Sequence, residues 1–262
     1  MSAILRIDGV AKTFFGRDTS VGALAPTDLA IERGEFVTLV GPSGCGKSTL
    51  LNLLSGLVSP SEGAIWFEDQ RVTNVNRKIG YVTQQDNLFP WRTLIDNVAF
   101  PLELAGASAR ERKTEAERWI KRVGLQGFET AYPHELSGGM RQRANIIRTL
   151  IYEPPVILMD EPFGPLDAQT RLSLQALLLS IWETQRSTVL FVTHDLTEAI
   201  GLADRVVLMS ARPGRLVRVD TVDIPRPRDV FFIHQDARFR ELHDAIWNEL
   251  AQQIHEHRPT SH

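Results

Sequence analysis

Apolar residues fall into short blocks along the chain, at Ile4–Val10, Phe36–Val40, Ile79–Val82, Val156–Met159, Val189–Val192 and Val206–Met209. Short apolar runs of this length look like buried strands. Between them lie stretches of helical period, Ser48–Leu57, Ala168–Thr184 and Leu196–Leu202. Strands that alternate with helices predict an α/β fold whose sheet is mostly parallel and joined by crossover helices. One interval departs from this rhythm. From Thr93 to about Leu150 the pattern is helical throughout, including the charged run Arg110–Val123 with its sparse apolar stripe and Gly124 at its end. We therefore expect a helical subdomain, about 93–153, inserted between sheet strands. Beyond Asp220 the prolines of Ile224-Pro-Arg-Pro-Arg-Asp229 break the chain before an amphipathic helix near Ala237–Ile254.

The strand Glu35–Val40 runs directly into Gly41-Pro42-Ser43-Gly44-Cys45-Gly46-Lys47-Ser48, and a helix follows from Ser48 and Thr49. This is a complete G-x-x-x-x-G-K-[ST] P-loop in its strand–loop–helix setting. Glycines let successive backbone N–H groups face a phosphate, and the helix end adds partial positive charge. Lys47 would reach the β- and γ-phosphates, and the Ser48 hydroxyl would ligate Mg²⁺. The expectation is a nucleoside-triphosphate site. Cys45 reads either as a small residue in a tight loop or as a target for thiol reagents.

Two further elements carry chemistry. Val156-Ile-Leu-Met-Asp-Glu161 is an apolar strand ending in paired carboxylates. Asp160 is placed as a Walker B ligand for Mg²⁺, and Glu161 as a general base on the attacking water. Leu136-Ser-Gly-Gly-Met-Arg-Gln-Arg143 opens a predicted helix, Met140–Ile151, giving a second anion-seeking helix end. Ser-Gly-Gly alone is weak, because an N-capping serine is commonplace. Its place between the P-loop and the paired carboxylates is what informs.

With these three motifs in this order, the chain resembles the ATP-binding subunit of ABC transporters over about residues 4–215, with Met140 where the LSGGQ signature has Gln. The resemblance implies a RecA-like P-loop NTPase core, an N-terminal antiparallel β subdomain and the inserted helical subdomain, together an ATP-binding domain over 1–219 with a short extension, 220–262. It also assigns roles. Gln84 matches the glutamine that senses Mg²⁺ and the γ-phosphate, and His194 matches the switch histidine. Phe14, rather than Phe15, matches the aromatic that stacks on adenine, although each could be core packing. Asp167 matches the end of the D-loop, with Pro165 replacing the usual small residue. Ser137, Gly138 and Gly139 would complete the ATP site of a second copy in a homodimer.

One motif set without a long coiled-coil insertion points away from ABC translation factors and chromosome or repair ATPases. The segment Thr130-Ala-Tyr-Pro-His-Glu135 before the signature looks like importers, and Asp86–Leu104 resembles the permease-docking region of importers of nitrate, taurine and sulfonates. An exposed Leu88-Phe89-Pro90-Trp91 would suit a partner helix. The implied protein is a transport ATPase at the cytoplasmic face of a membrane, partnered by permease subunits and indirectly by a solute-binding protein. A non-transport, export or lipid-trafficking ATPase of the same family is the alternative. Composition adds exclusions. A net charge of −3 does not suit a nucleic-acid binder with a basic surface. No run is apolar and long enough to span a bilayer, the first residues lack the apolar core of a secretory signal, and the single cysteine fits a reducing compartment.

Overall fold

The computed structural model describes residues 3–17 and 19–256. The expected ATP-binding domain and C-terminal extension therefore include residues 1, 2, 18 and 257–262 that lie outside the described ones. The chain forms two compact units, residues 1–77 with 186–262, and residues 78–185.

In the first unit, β1 (Ala3–Phe15) pairs antiparallel with β2 (Ser20–Glu32) and β4 (Glu62–Phe67), and β4 pairs with the short β5 (Gln70–Arg71). A second set of strands surrounds β3 (Phe36–Val40), which lies parallel to both β8 (Thr188–Val192) and β9 (Arg205–Met209). β10 (Leu216–Thr221) adds antiparallel to β9. Every residue of β3 and β8 is buried, the continuous apolar burial expected of parallel strands covered on both faces. Phe36 and Phe191 meet at 6.0 Å between ring centroids. α1 (Lys47–Leu54), α6 (Leu196–Leu202) and α7 (Ala237–Glu256) complete the unit, and α7 buries Phe239, Ile246 and Leu250 at helical spacing.

The second unit contains the parallel pair β6 (Ile79–Val82) and β7 (Val156–Asp160), and between them in sequence α2 (Leu94–Leu104), α3 (Ala109–Arg122) and α4 (Gly138–Leu150). α5 (Ala168–Gln185) follows β7. α3 starts with a full capping box, Ser108 with Glu111, and carries Lys121 and Arg122 in its last turn, which suits both ends of its dipole. Its buried face is Ala116, Trp119 and Ile120.

Five of the six apolar blocks are strands at nearly the predicted bounds, the first, predicted as Ile4–Val10, runs on to Phe15, and β2, β4, β5 and β10 were not foreseen. β2 contains Pro26, and its pairing with β1 shifts register repeatedly, so its alternation is broken up in the sequence. Two helical readings need correction. The helix predicted to Leu57 stops at Leu54, because Gly56 adopts φ +77 and a Cβ there would stand 2.2 Å from the Asn74 carbonyl oxygen. The stretch read as helical throughout from Thr93 is three helices, and α4 begins at Gly138 rather than Met140 because Ser137 caps it.

Candidate functional site

In the first unit the P-loop leaves the carboxyl end of β3 and turns into α1. Gly46, the N-cap of α1, has φ +106, and a Cβ there would lie 2.6 Å from the Ala23 carbonyl oxygen, so only glycine fits. No side chain caps α1 and no acidic residue stands in its first turn. Its N-terminal N–H groups and positive dipole end are thus left for an anion. Lys47 is buried, and its Nζ donates to the carbonyls of Gly41 at 2.9 Å and Pro42 at 3.0 Å. The loop bends around its own ammonium group. Ser43, Gly44 and Ser48 are exposed along the loop, with Pro42 and Thr49 half-buried. Cys45 is buried with Sγ 3.8 Å from Lys47 Nζ, and burial pushes its thiol up despite the opposing lysine charge. That favours the small-residue reading over a reactive thiol.

His194 belongs to the same edge. β3 and β8 run in parallel register with Leu39 opposite Val192, so the P-loop and His194 both emerge at the carboxyl ends of adjacent strands, where α/β sheets place ligands. His194 is exposed. Its neighbours are fixed: the buried Thr193 donates from Oγ1 to Glu198 Oε2 at 2.7 Å and accepts from the Asp195 N–H at 3.0 Å. Asp195 caps α6 through the N–H groups of Thr197 and Glu198. Phe14 stands on β1 opposite Val21 and is 44% exposed, and Phe15 is 80% exposed. Neither is core. Lys12 Nζ lies 5.0 Å from the Phe14 ring centroid.

The second unit gathers the carboxylates and Gln84. β6 and β7 are parallel with Val82 opposite Met159, which puts Gln84 and Glu161 two residues past paired positions. Gln84 Nε2 reaches Glu161 Oε2 at 3.5 Å, a long contact at the edge of hydrogen bonding. Asp160 is buried at the end of β7. Tyr81 beside it is held protonated, first by burial and then by the Asp160 charge. Glu161 takes φ +46, an uncommon left-handed conformation for a non-glycine residue. At the start of α4, Ser137 Oγ accepts from the Met140 N–H at 3.3 Å, and Ser137 and Gly138 are exposed. A Cβ on Gly139 would press on Leu166 at 3.3 Å. Asp167 accepts the Thr170 N–H at 3.0 Å in the first turn of α5, and that bond lowers its carboxyl pKa.

The expectation of an exposed Leu88–Trp91 is corrected in part. Leu88 is buried, whereas Trp91 is 72% exposed. Phe89 is half-buried, edge-on to Phe100 at 4.8 Å and 5.5 Å from the Trp91 ring. The apolar character at Leu88 belongs to packing, so the exposed part of the segment is narrower than its sequence suggests.

The ABC transporter family model matches residues 24–164, more than half of the chain. The chain belongs to the ABC transporter family. An uncharacterised ABC transporter ATP-binding protein of Methanocaldococcus jannaschii is 45% identical over 97% of this chain and 94% of its own length. The aliphatic sulfonates import ATP-binding protein SsuB of Bacillus cereus is 46% identical over 85% of this chain and 87% of its own length. Among solved structures, a dimeric post-hydrolysis ATP-binding cassette bound to ADP and Pi aligns with TM-score 0.77 and 33% identity, over 84% of this chain and all of that one. Like other ABC ATPases, the protein has a P-loop NTPase fold and is an ATP-hydrolysing enzyme. The matched span includes the P-loop, Gln84, Ser137–Gly139, Asp160 and Glu161, while Phe14, Asp167 and His194 fall outside it.

Sequence reasoning missed the residues that hold these groups: Thr193 and Glu198 beneath His194, and Asp86, Arg141, Asn145 and Arg148 around Gln84. For the last three a signal existed. Positions 141, 145 and 148 share one face of α4 by helical spacing, and three polar residues on one face of a half-buried helix ask for partners.

Proposed function

We propose that this ABC ATPase is the ATP-hydrolysing subunit of an importer for small nutrients of the aliphatic sulfonate, taurine or nitrate kind, working as a homodimer on separate permease subunits. The observation that carries the import reading is the 46% identity to the sulfonate import ATP-binding protein across 85% of the chain. The dimeric cassettes among the structural relatives support the homodimer. No helix among the described residues is long and apolar enough to cross a membrane. In this reading, membrane attachment on the cytoplasmic face comes through the permease.

The residue roles rest on the family resemblance together with the chemistry of each group. The uncapped N–H groups of α1, with Gly41–Thr49 around them, bind the phosphates, and Lys47 exchanges its loop carbonyls for phosphate oxygens. Phe14 offers an exposed ring to the adenine. Glu161 takes the proton of the attacking water, Gln84 holds its carboxylate in place, and His194 donates to the γ-phosphate. General base assistance of this kind is worth about 10²–10⁴-fold. Ser137, Gly138, Gly139 and Asp167 serve the ATP of the second copy. The donors assigned to Mg²⁺ are all oxygens, the Ser48 hydroxyl, Asp160 carboxylate and Gln84 amide, as a hard cation requires. When bound, the ion would neutralise charge developing on the β- and γ-phosphate oxygens.

The permease assignment is tested with Phe89→Ser and Trp91→Ser together, leaving the buried Leu88 intact. Co-purification with the neighbouring permease should fall at least about tenfold, as expected on losing aromatic anchors, while ATPase activity of the isolated subunit stays within a few-fold. Undiminished co-purification would remove this segment from the docking surface.

A further inference from the structure

α4 reaches the segment after β6 through three side chains on one face. Asn145 Nδ2 donates to the Thr83 carbonyl at 3.1 Å, and Arg148 donates to the carbonyls of Asn87 at 2.9 Å and Asp86 at 3.1 Å. These bonds hold main chain on either side of Gln84. The third contact differs in kind. Arg141 Nε donates to Asp86 Oδ2 at 2.9 Å, and the same guanidinium donates from Nη1 to the Leu136 carbonyl at 2.7 Å. The other Asp86 oxygen, Oδ1, accepts the Leu88 N–H at 3.3 Å. One planar cation therefore grips the residue before the Ser137 cap and the residue two beyond Gln84. Arg141 and Asp86 both line a cleft of about 420 Å³, together with Gln84 and Gly138.

We propose that Arg141 and Asp86 are positioning residues that make the Ser137 end of α4 and the Gln84 segment move together. The proposal rests on the roles given above to Gln84 and Ser137. At 3.5 Å, the Gln84–Glu161 contact is where a small displacement decides whether a hydrogen bond exists. A force applied to the Ser137 helix end is carried by the Arg141 fork to Asp86, and by the intervening backbone to Gln84. Misplacement of a catalytic group by about 1 Å costs up to about 10²-fold in rate. A guanidinium that donates to two partners at once suits the task better than an ammonium, because its planar shape fixes direction as well as distance.

The test is a double-mutant cycle read on steady-state ATP hydrolysis. Arg141→Met and Asp86→Asn should each lower kcat by about tenfold with KM for ATP unchanged within twofold, since the P-loop is untouched. The double variant should be no worse than the poorer single, and Arg141→Lys should recover part of the loss. Gln84→Ala and Ser137→Arg serve as reference variants. If those two lower kcat while Arg141→Met and Asp86→Asn stay within twofold of the native enzyme, the positioning role is overturned and the site assignment stands. If both reference variants turn over like the native enzyme, the site assignment falls and the proposal with it. Multiplying losses in the double variant would mean that the two residues act separately, which also overturns the proposal. Should Arg141→Met fail to fold, the near-isosteric Asp86→Asn with its Arg141→Lys combination carries the test, and unchanged kcat there is again fatal.

Discussion

The P-loop and the Gln84 segment are both built to hold a polar group at the end of a parallel strand, and they do so by opposite means. The P-loop is shaped by its own backbone. Gly46 takes a conformation closed to other residues, and Lys47 is bound by carbonyls five and six positions away. The Gln84 segment has local bonds too, from Thr83 Oγ1 to the Gln85 carbonyl at 2.6 Å and from Asn87 Nδ2 to Thr83 Oγ1 at 2.8 Å, but it adds a frame from outside. Its carbonyls and Asp86 are held by Arg141, Asn145 and Arg148, some 55 to 62 positions further along the chain. A loop that defines its own shape is stiff and local. One that borrows its shape from a distant helix transmits whatever that helix does.

The largest test of this contrast removes the chemistry and keeps both frames. Glu161→Gln should depress ATP hydrolysis by about 10²–10⁴-fold while ATP binding persists, and gel filtration with ATP and Mg²⁺ should show a stable dimer. Thermal stability should hardly change, since Gln keeps the size and the φ +46 backbone. Native-like turnover would take Glu161 out of its role.

A smaller effect is expected from deforming the P-loop, whose fit depends on its neighbour β2 as well as on its own backbone. Gly46→Ala forces a Cβ against the Ala23 carbonyl at 2.6 Å in a positive-φ conformation, a strain of about 1–3 kcal/mol. Denaturant unfolding should report that loss, and equilibrium binding of a fluorescent ATP analogue should weaken at least about tenfold, the equivalent of about 1.4 kcal/mol. Unaltered binding would mean that the loop tolerates reshaping, and the contrast with the Gln84 segment would fail.

The smallest effect concerns Cys45. Burial raises its thiol pKa, so its folded value exceeds the unfolded one. The associated stability is complete below the unfolded pKa and is lost as pH rises through the folded value. Between pH 7 and 8 the group stays protonated, and alkylation of the native protein should be much slower than of the unfolded chain. Rapid native labelling would show a loop far more open than the one described.

Much of this was legible in the sequence because the forces are local. The strands β3, β6, β7, β8 and β9 announce themselves as apolar blocks, and α6 matches its predicted bounds. The P-loop could be read as a phosphate cradle because glycine spacing, lysine reach and a helix end are properties of consecutive residues. The paired carboxylates followed from their place at the end of an apolar strand. β2 was missed since Pro26 and its bulged pairing with β1 blur the alternation. Leu88 was misjudged because an apolar residue in a loop looks the same in sequence whether it is covered or bare.

The sequence by itself determined the fold class and the phosphate-binding loop, through patterns in consecutive residues, whereas Gln84 and His194 were singled out by family resemblance rather than by spacing. Tertiary structure alone decided that Gln84 touches Glu161, that Thr193 and Glu198 fix the backbone around His194, and that Arg141 ties the Ser137 helix end to Asp86. Those contacts join residues tens of positions apart, except for the short span at His194, and they hinge on side-chain direction. No one-dimensional pattern records which of several arginines on a helix turns toward a given carboxylate; packing settles that when the strands and α4 come together.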